Sequence, residues 1–171
     1  REQTLSTHPM VAERLEADGV ASLLFDLLTE AEDRSRATRF DIDLLTRRVL
    51  GVIAWTTGQP QLADLALHLF GTSTGAAAAI RAAGGARAIH SVVSRGGRPD
   101  LAGDALAELA VPCLLIVGGN DPKVLEMNRD AQSRMECETE LRIVEGATHL
   151  FEEPGALDEV AEHASEWIRA H

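Results

Sequence analysis

Apolar positions along this chain recur in two rhythms. Some stretches space them by three and four residues, as one face of a helix requires. Others run them together, as a strand buried on both faces requires. Residues 8–19, HPMVAERLEADG, set Val11, Ala12 and Leu15 on one face and predict a helix stopped by Gly19. VASLLFDLL (20–28) is short and apolar and predicts a strand. The charged stretch 29–41 has no period and reads as a loop. Residues 43–58 have helical spacing, with Leu44, Val49, Val52 and Ile53 near one face and Gly58 and Pro60 as terminators. A strand is predicted at 64–70, then an alanine-rich helix at 74–83. Strands follow at 87–94, 111–119 and 139–146, separated by a turn with a short helix at 104–110 and a helix at 122–135. In the closing helix, 155–171, Leu157, Val160, Ala164, Trp167 and Ile168 are spaced by three and four.

Strand and helix alternate, and the strands are apolar on both faces. The expected fold class is therefore α/β: a mostly parallel sheet flanked by helices, in one domain spanning 1–171 with 1–10 irregular. Ligands of such sheets sit beyond the carboxyl ends of the strands, so the residues that follow each strand are the ones to inspect.

LHLFGTSTGAAAAI (67–80) ends an apolar strand in Gly71-Thr72-Ser73-Thr74-Gly75 and opens a helix at once. A serine on so tight a turn is lifted clear of the sheet. The backbone amides after it face any bound oxyanion, and flanking glycines remove side chains that would collide with strand and helix. The next strand ends carry Asn120-Asp121 and, in EGATHLFEEPG, His149. A serine nucleophile needs a base, and the imidazole needs a carboxylate to fix its tautomer. Ser73, Asp121 and His149 fall in that order on three strand ends, which predicts a nucleophilic triad. His68 and His90, inside strands, read as packed or hydrogen-bonded residues. His8, His163 and His171 read as solvent-facing. Trp55 and Trp167, at helical spacing, read as core.

Composition narrows the partners. Net charge is −11 with scattered acidic residues, which argues against nucleic acid. No apolar run approaches the roughly 18 residues of a membrane span, so no membrane association is expected and a cytoplasmic location is the default. Cys113 and Cys137 fit no metal-ligand pattern and read as free thiols. No metal and no cofactor are expected. A dinucleotide binder is disfavoured, since no G-x-G-x-x-G follows the first strand.

LLFDLLTEAEDR, LFGTSTGAAAAIRAA, VVSRGGRPDLAG, LLIVGGND and EGATHLFEEPGAL together resemble the α/β-hydrolase fold, and more narrowly its dienelactone-hydrolase-like branch. The likeness runs from about residue 11 to the C-terminus. It implies Ser73 as nucleophile, Asp121 as acid and His149 as base, Thr74 N–H as an oxyanion donor, and Ser94 and Arg95 as pocket residues. The implied activity is hydrolysis of small-molecule carboxylic esters or lactones through an acyl-enzyme. Dienelactone hydrolase itself uses a cysteine where this chain has Ser73. Some relatives are fused to a phosphoribosyltransferase domain, and no phosphoribosyl-binding pattern occurs here. The family ordinarily begins with three more strands. The loop after the third, usually opening His-Gly, gives a second oxyanion donor, and the third strand lies between those placed here at 20–28 and 64–70. REQTLSTHPM contains no such strand, so the expected architecture is an α/β hydrolase shortened at its N-terminal side. Two consequences stay open: a homo-oligomer that completes the sheet, or an inactive hydrolase fold serving as a binding or assembly module.

Overall fold

The computed structural model describes the backbone of residues 2–171 and the side chains from residue 9 onward. Its helices are α1 (Glu2–Ala17), α2 (Glu30–Asp33), α3 (Arg36–Arg39), α4 (Ile42–Thr57), α5 (Thr74–Gly85), α6 (Ala105–Glu108), α7 (Pro122–Arg134) and α8 (Ala156–Ala170). Its strands are β1 (Leu67–Thr72), β2 (Ile89–Arg95), β3 (Cys113–Gly118) and β4 (Thr139–Val144). They form one sheet in the order β1-β2-β3-β4, and every neighbouring pair is parallel. Parallel neighbours require crossovers. These are α5, then a 3-10 turn (Pro99–Ala102) with α6, then α7.

Strand alternation divides the core into two layers. Val92 and Leu115 face the α4–α5 side, packing with Leu45, Val49, Ile80 and Leu106. Val93, Leu114 and Ile116 face the other side and meet Val11 and Leu15 of α1 and Val160 and Trp167 of α8. Cys113 to Val117 are wholly buried, as a central strand covered on both faces must be. Burial also pushes the Cys113 thiol far above its ordinary pKa, so it packs as a small apolar group. All six alanines of α5 are buried, and their short side chains let the helix lie close to the sheet and to α4.

Several expectations are corrected. Residues 2–10, expected to be irregular, belong to α1. Residues 20–28 form no strand. A strand needs a neighbour for its backbone groups, and β1 pairs with β2 alone among the described residues. Leu23, Leu24 and Phe25 consequently stand 54%, 53% and 45% exposed, while Leu27 and Leu28 pack on the core. Leu23, Phe25, Val52 and Trp55 line an apolar groove of about 600 Å³. Trp55, expected in the core, is thus on its wall and 55% exposed, whereas Trp167 is buried as expected. The stretch 29–41 contains α2 and α3, which local capping specifies. The Thr29 hydroxyl accepts from Glu32 N–H, and the Glu32 carboxylate accepts from Thr29 N–H. A further correction concerns histidines; the His8 side chain lies outside the described residues. His163 and His171 are partly covered, with His171 packed on the Trp167 ring, and His90 lies exposed on β2 although its Nδ1 keeps a hydrogen bond, to Ala88 O at 3.2 Å. His68 does share the expected hydrogen bond, with Ser91 Oγ at 2.7 Å.

Arg48 of α4 fastens this irregular segment. It donates to Leu27 O at 2.7 Å and to both Glu32 carboxylate oxygens at 2.6 and 2.7 Å. The Arg48 hydrogen bonds, aided by those from Thr29, hold the Glu32 pKa at about 2, well below the ordinary carboxylate value. A depressed pKa contributes stability above the unfolded value, lost as pH falls from about 4.5 towards 2. Arg48→Ala is expected to return Glu32 towards its ordinary pKa in a carbon-13 NMR titration. An unchanged titration would mean that the fork is not maintained in solution.

Candidate active site

The strand ends meet on one edge of the sheet. Ser73 occupies the single residue between β1 and α5, with φ 50° and ψ −128°, a conformation rare for a residue with a side chain. The reason lies two residues earlier. A Cβ on Gly71 would lie 2.6 Å from Gly75 O, 2.7 Å from Ala76 Cα and 2.8 Å from Ala76 N. Strand and helix therefore approach closely enough that the intervening residue must turn sharply. Gly75 is different, because its added Cβ would meet only the Leu27 side chain at 3.8 Å. Of the two flanking glycines, only Gly71 avoids a collision. The Ser73 carbonyl accepts from Ala76 N–H and Arg98 N–H, which pins the turn to the segment after β2. Ser73 is exposed, and Thr74 opens α5, whose first-turn amides have no acceptor one turn back within the helix.

Asp121 stands at the N-cap of α7, with Pro122 at the first helical position. An aspartate there ordinarily caps the helix. This one makes no cap bond; its Oδ2 instead accepts from His149 Nδ1–H at 2.9 Å. A carboxylate only accepts, so Nδ1 carries a proton, and in the neutral ring this leaves the lone pair on Nε2. Asp121 is the more sheltered partner, at 16% side-chain exposure against 47% for His149.

The His149 loop is held from several sides. Asn120 N–H donates to Ala147 O, and Asn120 Nδ2 donates to Gly146 O. Thr148 N–H and hydroxyl both donate to Glu153 Oε1, at 3.0 and 2.6 Å. These bonds lower the Glu153 pKa, the hydroxyl contributing most. Phe151 is buried at φ 55° with the Arg95 guanidinium 5.2 Å from its ring centroid. Gly96 lies against the His149 ring.

Ser73, Asp121 and His149 line one cleft of about 310 Å³ with Phe40, Arg98, Lys123, Val124 and Met127. Ser94 and Arg95, expected as pocket residues, are buried at the end of β2 and are not among its walls. The Gly96-Gly97 turn carries the chain past them, so Arg98 reaches the cleft instead. Its guanidinium is bound bidentately by Asp100. Lys123 has no ion pair among the described residues. Sequence reasoning passed over Arg98, Lys123 and Glu153. The signals present were a cation just beyond a Gly-Gly turn, a cation in the first turn after a strand-end Asp-Pro, and a carboxylate four residues past the histidine. No group of described His, Cys, Asp and Glu residues is arranged to hold a metal, and no described helix is long and apolar enough to cross a membrane.

No protein-family model matches the chain. Two curated Mycobacterium tuberculosis proteins, carried under a provisional phosphoribosyl transferase name, are 53% identical to it over 162 residues. That match covers 94% of this chain, which spans 37% of their length. Among solved structures, Est1E from Butyrivibrio proteoclasticus superposes with TM-score 0.79 at 16% identity, covering 96% of this chain and 81% of that one. This likeness concerns the fold. A dienelactone hydrolase from Anabaena variabilis superposes with TM-score 0.92 at 47% identity, over 96% of this chain and 79% of that one. By that identity and coverage, on a parallel sheet whose strand ends share one cleft, the chain belongs to the dienelactone-hydrolase-like family of α/β hydrolases.

Proposed function

We propose that the chain is a serine hydrolase acting on carboxylic esters or lactones. The observation that supports this most is the His149–Asp121 hydrogen bond, in a cleft shared with a serine held at positive φ. In this reading Ser73 Oγ attacks the carbonyl carbon while His149 Nε2 takes its proton. Asp121 stabilises the resulting imidazolium. The oxyanion rests on Thr74 N–H at the start of α5, where the helix dipole favours negative charge. Collapse returns the proton to the leaving alkoxide and leaves an acyl group on Ser73. Water, deprotonated by the same imidazole, then releases the acid. The transferase name of the curated relatives belongs to those longer chains and is not carried over to this one.

The test combines a fluorophosphonate probe with p-nitrophenyl esters, neutral and carboxylate-bearing, since Lys123 lines the cleft with no ion pair among the described residues. Expected are a single adduct on Ser73 by peptide mass and turnover that the probe abolishes. Neither labelling nor turnover would end the reading for this chain. Among the described residues β1 is an edge strand, and Leu23 to Phe25 are exposed; these favour a second reading, a fold used for assembly. Light scattering separates the two: a silent oligomer favours assembly, and a labelled, active species favours the hydrolase.

A further inference from the structure

We propose that Glu153 is a positioning residue for His149, acting through Thr148. The inference rests on the hydrolase reading for the use made of the imidazole, but its geometry stands independently. His149 sits in an exposed loop, and its one side-chain hydrogen bond among the described residues is to Asp121. One hydrogen bond fixes a ring's tautomer and leaves the backbone beneath it free to swing. Thr148, immediately before it, is fixed twice. Its N–H and its hydroxyl converge on one carboxylate oxygen of Glu153, at 3.0 and 2.6 Å. Bonds to an ionised acceptor are roughly twice as strong as neutral ones. Two donors from one residue on one oxygen restrain both the backbone and the side chain of Thr148.

The other end of the clamp is equally constrained. Between Thr148 and Glu153 the chain passes through Phe151 at φ 55°, whose N–H donates to Thr148 O. A buried aromatic residue adopts that region only when its surroundings impose it. Here the ring is enclosed, with Arg95 over it, and Glu153 closes the turn behind it. Glu153 Oε2 is buried and makes no hydrogen bond, so the carboxylate is not held by solvent on its other side. Beyond it, Glu153 O accepts from Ala156 N–H at the start of α8, which ties the clamp to a helix packed on the sheet. The chain of contacts is thus α8, Glu153, Thr148, His149. The loop histidine is referred to the rigid core rather than left to its own flexibility.

The experiment compares Glu153→Ala, Glu153→Gln, Thr148→Val and Thr148→Ser with the wild type in the full chain. Two quantities are read: the proton resonance of His149 Nδ1–H, and the rate of fluorophosphonate labelling of Ser73. Glu153→Ala and Thr148→Val are expected to broaden or lose the Nδ1–H resonance and to slow labelling about 10–100-fold, the cost of a misplaced base. With a p-nitrophenyl ester, kcat should fall and KM should stay. The melting temperature should remain within about 4 °C of wild type. Thr148→Ser keeps both donors and should restore wild-type values. Glu153→Gln, which keeps the acceptor oxygen and loses the charge, should fall between. If Glu153→Ala retains the resonance and the labelling rate, the proposal is overturned. Should that variant fail to fold, the Thr148→Val and Thr148→Ser pair decides: equal resonances and rates in both would overturn it. If the wild type itself never labels, the hydrolase reading fails while the resonance still reports on Glu153.

Discussion

Ser73→Ala is expected to abolish covalent labelling and to lower ester turnover by about 10⁴–10⁶-fold, the range found when one member of a triad is removed. The substitution deletes one oxygen from an exposed side chain and leaves the turn, the His149–Asp121 bond and the α5 amides in place. Folding should be little affected, because the Ser73 hydroxyl makes no cap bond to α5. His149→Ala is expected to cost a comparable amount, since the hydroxyl without its base is a poor nucleophile near neutral pH. The informative measurement is the double variant. If Ser73 and His149 act as one unit, Ser73→Ala/His149→Ala falls no further than either single change. Additive losses in kcat, with p-nitrophenyl acetate and buffer hydrolysis subtracted, would separate the two residues and contradict the mechanism. Wild-type turnover by Ser73→Ala would assign the chemistry to another nucleophile.

What the sequence made legible follows from how local each determinant is. The four strands and helices α4, α5, α7 and α8 appear near their expected positions, because apolar periodicity reports directly which faces are buried. The strand-end rule then pointed to Ser73, Asp121 and His149, and the structure places all three on one cleft. Residues 20–28 carry the same local signal as β2 or β3. Their strand state depends on a neighbour, however, and a run of apolar residues does not encode whether a neighbour is present. Trp55 fails with them, since it stands on the wall of the groove that this segment lines rather than beneath a packed element. The capping box at Thr29 and Glu32 was readable, yet helices of four residues have no periodicity to draw attention to them. Ser94 and Arg95 sit at a strand end and still miss the cleft. Which side of the last strand residue faces the ligand depends on the turn that follows, and two glycines give that turn no side-chain signature.

The two glycines of Gly71-Thr72-Ser73-Thr74-Gly75 look equivalent in sequence, and opposite results are expected from replacing them with alanine. At Gly71 the new methyl group would press on three backbone atoms of Gly75 and Ala76, at 2.6 to 2.8 Å. Backbone in the first turn of a buried helix cannot withdraw as a flexible side chain can. α5 must therefore shift away from β1, or the Ser73 turn must open. The expected cost is about 2 kcal/mol or more, in the range of overpacked cores. Because the displaced element carries Ser73 and Thr74, fluorophosphonate labelling should be lost along with the stability. At Gly75 the methyl group meets only Leu27 Cδ1 at an ordinary 3.8 Å. Gly75 lies within α5 and has no positive φ, so alanine there removes conformational freedom from the unfolded chain and should stabilise by about 0.5–1 kcal/mol. Urea denaturation of the two variants beside the wild type gives the comparison. The midpoint should fall for Gly71→Ala and rise for Gly75→Ala. A Gly71→Ala protein with wild-type stability and labelling would show that strand and helix are not packed at the distance that forces Ser73 into its strained turn. The close approach of β1 to α5 would then no longer account for the position of the hydroxyl.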